Sequence, residues 1–402
     1  MKHLLFILII GLNALRSPWK TMGAESTKPL TPQEWSIQMA EALIKRHPAP
    51  WTLDEGNPNR WEYTYGLMFK ALLEIWKITE NPKYFEYVEK YYDNYVDDSG
   101  QIRTYRLEEY NIDRINPGKP LFKLFEVTGK EKYRRAIELL RSQMRTHPRT
   151  QAGGFWHKQI YPNQMWLDGI YMASPFLAEY AYRFQEPELY DEVAHQVILM
   201  YRVALDTSTG LLYHGWDESR QQRWADPKTG CSPNFWGRAL GWYSMAIVDV
   251  LDFLPIQHPQ RQEIIRLWQQ LARAIRKAQD SHTGLWYQVL DKPQAPGNYL
   301  ESSAACMFVY AFTKSVRLGY LDTEFLKAAR QGYQGILEKF ITTDKQGLIS
   351  ITQACAVAGL GGKPYRDGSY EYYISTPKSI NDPKAMGPFI LAGLELEKFN
   401  NR

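Results

Sequence analysis

Cysteine is scarce: the 402-residue chain has three, Cys231, Cys306 and Cys355. Their spacing matches no thiolate metal motif and allows at most one disulfide, which excludes a disulfide-stapled scaffold and a structural zinc site. A surplus of one charge is also missing, with 48 Lys and Arg against 44 Asp and Glu. Cutting after Ala24 removes Lys2, Arg16 and Lys20 and no acid, leaving 45 against 44, so nothing marks a nucleic-acid partner. No stretch rich in Pro, Gly or Ser marks a linker, which argues for one domain over residues 25–402. Long hydrophobic runs are absent too. Leu4 to Leu12 is too short to cross a bilayer as a helix, and no stable membrane insertion is expected. It lies between Met1-Lys2-His3 and the small residues Met22-Gly23-Ala24, the layout of a signal peptide over residues 1–24, so a secreted or periplasmic location is expected.

Several catalytic signatures are missing as well. There is no Gly-x-Ser-x-Gly elbow and no His-Glu-x-x-His, against a serine hydrolase and a zincin. Gly359-Leu360-Gly361-Gly362-Lys363-Pro364 lacks the spaced glycine and the Ser or Thr of a phosphate loop. Nothing in the chain calls for a cofactor or a metal.

What is present is aromatic and helical. Tryptophan (13) and tyrosine (27) are plentiful, which suits a large core or a saccharide cleft. Apolar periodicity and stop signals predict about twelve helices and no useful alternating strand. Thr31-Pro32-Gln33-Glu34 opens the first with a capping box, and the last runs from about Pro383 to Phe399. Tight turns at Thr79–Lys83, Thr128–Glu131, Gln185–Glu188, Leu254–Pro259 and Gly319–Thr323 each lead from an aromatic, small-residue helix into a charged one. Asn116-Pro117, Ser174-Pro175, Ser232-Pro233 and Asp382-Pro383 read as cap-then-proline helix starts, three of them 58 residues apart. Five hairpins, with the first helix pairing the last, predict an all-α (α/α)6 barrel. Its charged-to-aromatic connections are long (98–115, 146–173, 207–231, 281–300, 342–382) and gather at one mouth.

That mouth collects the candidate site. Residues 153–176 place Trp156, His157, Lys158, Trp166 and Asp168 within thirteen positions, a composition suited to stacking on a sugar and handing over a proton. Asp168 serves either this chemistry or an earlier helix start, in which case Pro175 would fall inside the helix. Asp113 holds the equivalent place one repeat earlier, with Arg114 as a ready ion-pair partner. His214 is a substrate donor or a satisfied loop histidine. Arg238 and Trp242, four apart, share one face of a helix and suit a carboxylated sugar, and Trp236 points elsewhere on an ideal helix.

Trp156-His157-Lys158, Gln164-Met165-Trp166-Leu167-Asp168-Gly169, Trp236-Gly237-Arg238, Arg366-Asp367-Gly368-Ser369-Tyr370-Glu371-Tyr372 and Asn381-Asp382-Pro383 together resemble glycoside hydrolase family 105, the unsaturated rhamnogalacturonyl hydrolases. The resemblance implies a six-hairpin barrel and removal of the unsaturated uronic acid that a polysaccharide lyase leaves at a non-reducing end. It implies that Asp168 protonates C4 of the double bond and then activates the water that attacks C5. Asp113 would hold sugar hydroxyls or assist the proton transfer. Tyr63, His157, Lys158, Trp166, His214, Trp236, Arg238 and Trp242 would bind the ring and its carboxylate, with Tyr63 the expected stacking residue. The expected partner is an unsaturated oligosaccharide and the expected state a monomer. Rival readings are the same chemistry on a glucuronyl-type uronide, an inverting glycosidase using Asp113 and Asp168, and a non-catalytic oligosaccharide-binding toroid.

Overall fold

Thr31 opens the first helix through the predicted capping box: its hydroxyl accepts the Glu34 N–H, and the Glu34 carboxylate accepts the Thr31 N–H. The computed structural model describes residues 29–400, so the expected signal peptide over 1–24 lies outside the described residues. The helices are α1 (Pro32–Arg46), α2 (Tyr63–Thr79), α3 (Pro82–Tyr95), α4 (Lys119–Thr128), α5 (Glu131–Thr146), α6 (Leu167–Phe184) and α7 (Leu189–Ala204). They continue as α8 (Gly237–Val250), α9 (Arg261–Lys277), α10 (Ser302–Arg317), α11 (Glu324–Lys339), the short α12 (Tyr370–Ser375) and α13 (Pro383–Glu397).

Inner and outer helices differ as burial requires. Every residue of α8 is buried, whereas α9 buries Ile264, Ile265, Trp268, Leu271, Ala272 and Ile275 as one stripe. The inner ring runs α2, α4 with the 3₁₀ segment Ile112–Gly118 before it, α6, α8, α10 and α13, and α13 returns to α2. Helices α3, α5, α7, α9 and α11 pack outside their predecessors, and α1 packs on α13 to complete the sixth hairpin. This is the expected (α/α)6 barrel, within the unit Thr31–Arg402. Helices α2, α4 and α6 end on left-handed residues, Glu80, Gly129 and Gln185, which reverse the chain at once.

A second repeat, which proline spacing does not reveal, follows four outer helices. Asp97, Asp206, Asp280 and Asp344 each turn the chain by accepting N–H groups two to four residues on. Each turn closes on a glycine of positive φ: Gly100, Gly210, Gly284 and Gly347.

Three of the four predicted proline starts need correction. Asp382 does cap α13, but Pro117 lies within the 3₁₀ segment, Pro175 lies inside α6, and Pro233 precedes α8 by four residues. In α6 the helix begins at Leu167, because β1 (Gln164–Trp166) delivers the chain there already in place. No useful alternating strand is expected, and the three two-stranded ribbons that form in the long loops are short. They escape a period-two reading because each strand is only two or three residues long.

The bore is filled. Helices α2 and α8 stand on opposite sides of the ring, yet the Tyr63 and Trp242 rings meet edge-on at 6.1 Å, and Tyr171 packs on Trp242 at 4.8 Å. One layer further along, Lys70 of α2 pairs with Asp249 of α8. Cys231, Cys306 and Cys355 are free and buried. Among the described residues no helix is long and apolar enough to cross a membrane, and no cluster of His, Cys, Asp and Glu could hold a metal.

Candidate active site

The site is organised by the ribbon of β1 and β2 (Gly215–Asp217), which pair antiparallel with Trp166 opposite Gly215. The register is completed by Leu167 N–H donating to the His214 carbonyl at 3.0 Å. One ribbon therefore sets both His214 and the first turn of α6, and Asp168 is the second residue of that helix. Asp168 does not cap it: the N-cap is Trp166, without a side-chain cap bond. The His214 Nε2 lies 3.1 Å from Asp168 Oδ2, and neither buried atom makes a hydrogen bond to any other group of the protein. The other ring nitrogen of His214, Nδ1, is 2.7 Å from the Tyr373 hydroxyl. Burial lowers the His214 pKa, against the pull of Asp168.

On the other side of Trp166 sits Asp113. Its Oδ2 is 2.8 Å from Lys158 Nζ, and its Oδ1 is 3.4 Å from His157 Nε2. Burial alone would raise this carboxyl, but Lys158 and His157 outweigh it and hold Asp113 well below the usual carboxylate range. The expected Arg114 partner is elsewhere: Arg114 pairs with Glu62 at 2.7 Å and donates to the Trp61 carbonyl. The Glu62 carboxyl is raised by burial, with Arg114 opposing and Asp113 adding to it. His157 stacks on Trp166 at 4.1 Å, and Trp166 meets His214 edge-on at 5.6 Å. The glycine after Asp168 permits this approach, since a Cβ at Gly169 would stand 3.2 Å from His157 Nδ1.

The other sequence candidates divide. Trp236 packs on His214 at 4.8 Å and on Tyr373 at 5.8 Å. The expected Arg238–Trp242 pair does not form. Arg238 lies 5.0 Å over Trp236, which as N-cap of α8 has extended backbone and escapes the helical spacing. Arg238 is fully buried, donates to the carbonyls of Cys355 and Ala356, and leaves Nε without a partner. Trp242 is 1% exposed and forms the floor with Tyr63, which is half-buried.

Two residues had no role assigned from sequence. Tyr373 orients His214, and Arg366 donates to the Tyr161 hydroxyl at 2.7 Å while lying 5.8 Å from the Tyr161 and Trp166 rings. Arg366 lies in the loop before α12 and Tyr373 on α12 itself, so the Arg366-to-Tyr372 motif signals the first and stops one residue short of the second. Buried polar atoms short of partners gather at this mouth: Trp156 Nε1, His157 Nδ1 and Arg238 Nε have none, and Asp168 Oδ2 and His214 Nε2 have only each other. Such groups are costly unless something binds them. Two carboxylates and unspent donors set among aromatic rings have the chemistry of a sugar-cleaving site.

Comparison with known proteins agrees with this class. The family model of Glycosyl Hydrolase Family 88 matches residues 35–400, so the chain belongs to that glycoside hydrolase family. Among solved structures, a glycoside hydrolase from family 105 of C. acetobutylicum ATCC 824 is 44% identical, with a TM-score of 0.88, covering 91% of this chain and 100% of that one. Protein Atu3128 of Agrobacterium fabrum is 41% identical over 230 residues, 56% of this chain and 97% of its own. The unsaturated rhamnogalacturonyl hydrolase YesR of Bacillus subtilis is 25% identical over 317 residues, 77% of this chain and 84% of its own.

Proposed function

We propose that this hydrolase removes the 4,5-unsaturated galacturonyl residue from the non-reducing end of lyase-generated rhamnogalacturonan oligosaccharides, by hydrating its enol ether double bond. The observation that carries the reading is the Asp168–His214 pair, a carboxyl oxygen buried beside an imidazole with no competing partner. The similarity to YesR supports the sugar. Asp168 delivers a proton to C4, and positive charge develops at C5 and the ring oxygen. The resulting carboxylate then takes a proton from the water that adds to C5, which returns Asp168 to its starting state. The hemiketal opens to a C5 ketone, and the C1 hemiacetal collapses to an aldehyde and frees the aglycone. Asp113, kept ionised by Lys158 and His157, accepts sugar hydroxyls. Lys158 and the free Nε of Arg238 supply positive charge for the uronate carboxylate.

The test follows the ultraviolet absorbance of the conjugated uronate in an unsaturated rhamnogalacturonan disaccharide. Wild type should abolish it, and Asp168→Asn should bind the disaccharide without consuming it. Sugar release from a saturated substrate with the absorbance untouched would refute hydration, and a glucuronyl-linked analogue turned over faster would change the sugar. The same reading places the enzyme outside the cytoplasm, on the strength of Leu4 to Leu12 behind Lys2. Exported protein should begin at Glu25 on N-terminal sequencing.

A further inference from the structure

At the far end of the barrel, beneath the Tyr63–Trp242–Tyr171 floor, the inner helices enclose a second, wholly different space. The Lys70–Asp249 pair spans the bore and divides it into two lobes of about 220 Å³ each. One lobe lies toward α10 and α13, and there the charges are matched. Lys314 sits 2.9 Å from Asp249 and also reaches Asp252, and Arg317 pairs with Glu395.

The lobe toward α4 and α6 is lined by four acids, Glu74, Glu179, Asp249 and Asp252, and by five bases, Lys70, Lys77, Lys119, Lys123 and Arg183. Lys70 is held by Asp249, Lys77 by Glu74, Lys123 by Glu126, and Arg183 by Glu126 and Glu179. Lys119 is the exception among these five. It is 8% exposed, and its Nζ donates to the Tyr171 carbonyl at 2.7 Å and sits 3.6 Å from the centre of the Tyr171 ring. No carboxylate lies within ion-pair distance of it. The two nearby acids are already occupied, Asp249 by Lys70, Lys314 and the Tyr310 hydroxyl and Glu179 by Arg183.

A buried ammonium that faces a cavity without an ion-pair partner of its own is costly for a fold to keep. Burial, reinforced by Lys70, lowers its pKa, the electrostatic mark of the missing partner. An ammonium still has donors left after one carbonyl bond, and a compact oxyanion suits a lysine's point charge.

We propose that this reverse-mouth lobe is a binding site for a small oxyanion, of carboxylate or phosphate type, held by Lys119 with Lys70 beside it. It is separate from the sugar pocket and independent of which sugar that pocket takes, because the aromatic floor stands between them. The ligand completes the charge balance of the bore and ties α4 to α2.

Isothermal titration of the full chain with sodium phosphate, and separately with sodium acetate, tests this against sodium chloride at matched ionic strength. Wild type should show saturable binding of one anion per chain, and the stronger of the two probes identifies the oxyanion type. Lys119→Met should weaken that binding at least tenfold while Lys327→Met, on the exposed face of α11, leaves it unchanged. In thermal melts Lys119→Met should also lose the anion-dependent rise in midpoint. No saturable heat from either anion in wild type would overturn the site, as would Lys119→Met binding like wild type.

Discussion

His214 is held from both ends: Nδ1 lies 2.7 Å from the Tyr373 hydroxyl, and Nε2 lies 3.1 Å from Asp168 Oδ2. Its ring is therefore fixed by one partner and offered to the other. Tyr373→Phe keeps the ring volume and removes only the hydroxyl that sets this orientation. Turnover should fall on the order of tenfold to a hundredfold, as small misplacements of a reacting group do, with the melting midpoint nearly unchanged. A rate equal to wild type would mean that the hydroxyl does not position the histidine.

Asp113 is the counter-charge for Lys158 and His157. Asp113→Asn leaves Lys158 in place without it. Because Lys158 is partly exposed, the cost should stay near the low end for a broken buried pair, about 1–3 kcal/mol, in urea unfolding. Lys158→Met together with Asp113→Asn should recover part of that loss. A double variant no better than the sum of the singles would show that the pair is not coupled.

Acid should loosen the fold through buried histidines. His147 donates from Nε2 to the Trp156 carbonyl at 2.7 Å, and its Nδ1 faces the Gln143 amide at 3.4 Å. Both nitrogens are satisfied by the neutral ring. Burial lowers its pKa to about 4 from 6.5, with the carbonyl of Trp156 opposing. Since the unfolded chain takes up the proton first, the stability this residue contributes is complete above pH 6.5 and is lost as pH falls toward 4. The loss amounts to about 3 kcal/mol. His147→Gln should flatten the melting midpoint's dependence on pH across that window. A slope identical to wild type would remove His147 from the account.

Gly66 marks where α2 touches the segment that carries Asp113. A Cβ there would lie 2.4 Å from the Asn116 carbonyl oxygen and 2.7 Å from Pro117 Cα. Those are main-chain atoms, so they cannot swing aside. Gly66→Ala should cost roughly 1–3 kcal/mol despite alanine's better helix propensity, and activity should fall with it as Asp113 is displaced. Thermal melts with parallel turnover measurements check both. Unchanged stability would show that the segment yields freely.

Much of this architecture was legible in the chain itself. The capping box at Thr31, the short turns and the asymmetry of loop lengths follow from local chemistry, and they lead to the barrel and to one functional mouth. Loop topology placed six candidates there, Asp113, His157, Asp168, His214, Trp236 and Arg238, and the resemblance added Tyr63. What could not be read was pairing across sequence. Lys158 rather than Arg114 faces Asp113, since nothing local says which way an Arg beside an Asp will turn. Trp236 rather than Trp242 meets Arg238, since helical spacing fails at an N-cap. The β1–β2 ribbon was invisible because three residues carry no period. Pro175 misled because a helix already anchored by that ribbon tolerates an interior proline.

The Tyr63 and Trp242 rings, which meet across the bore with Tyr171 behind them, make the pocket a cul-de-sac. On the proposed function, that closed floor admits only a chain terminus, and the unit cut off leaves by the door it came in.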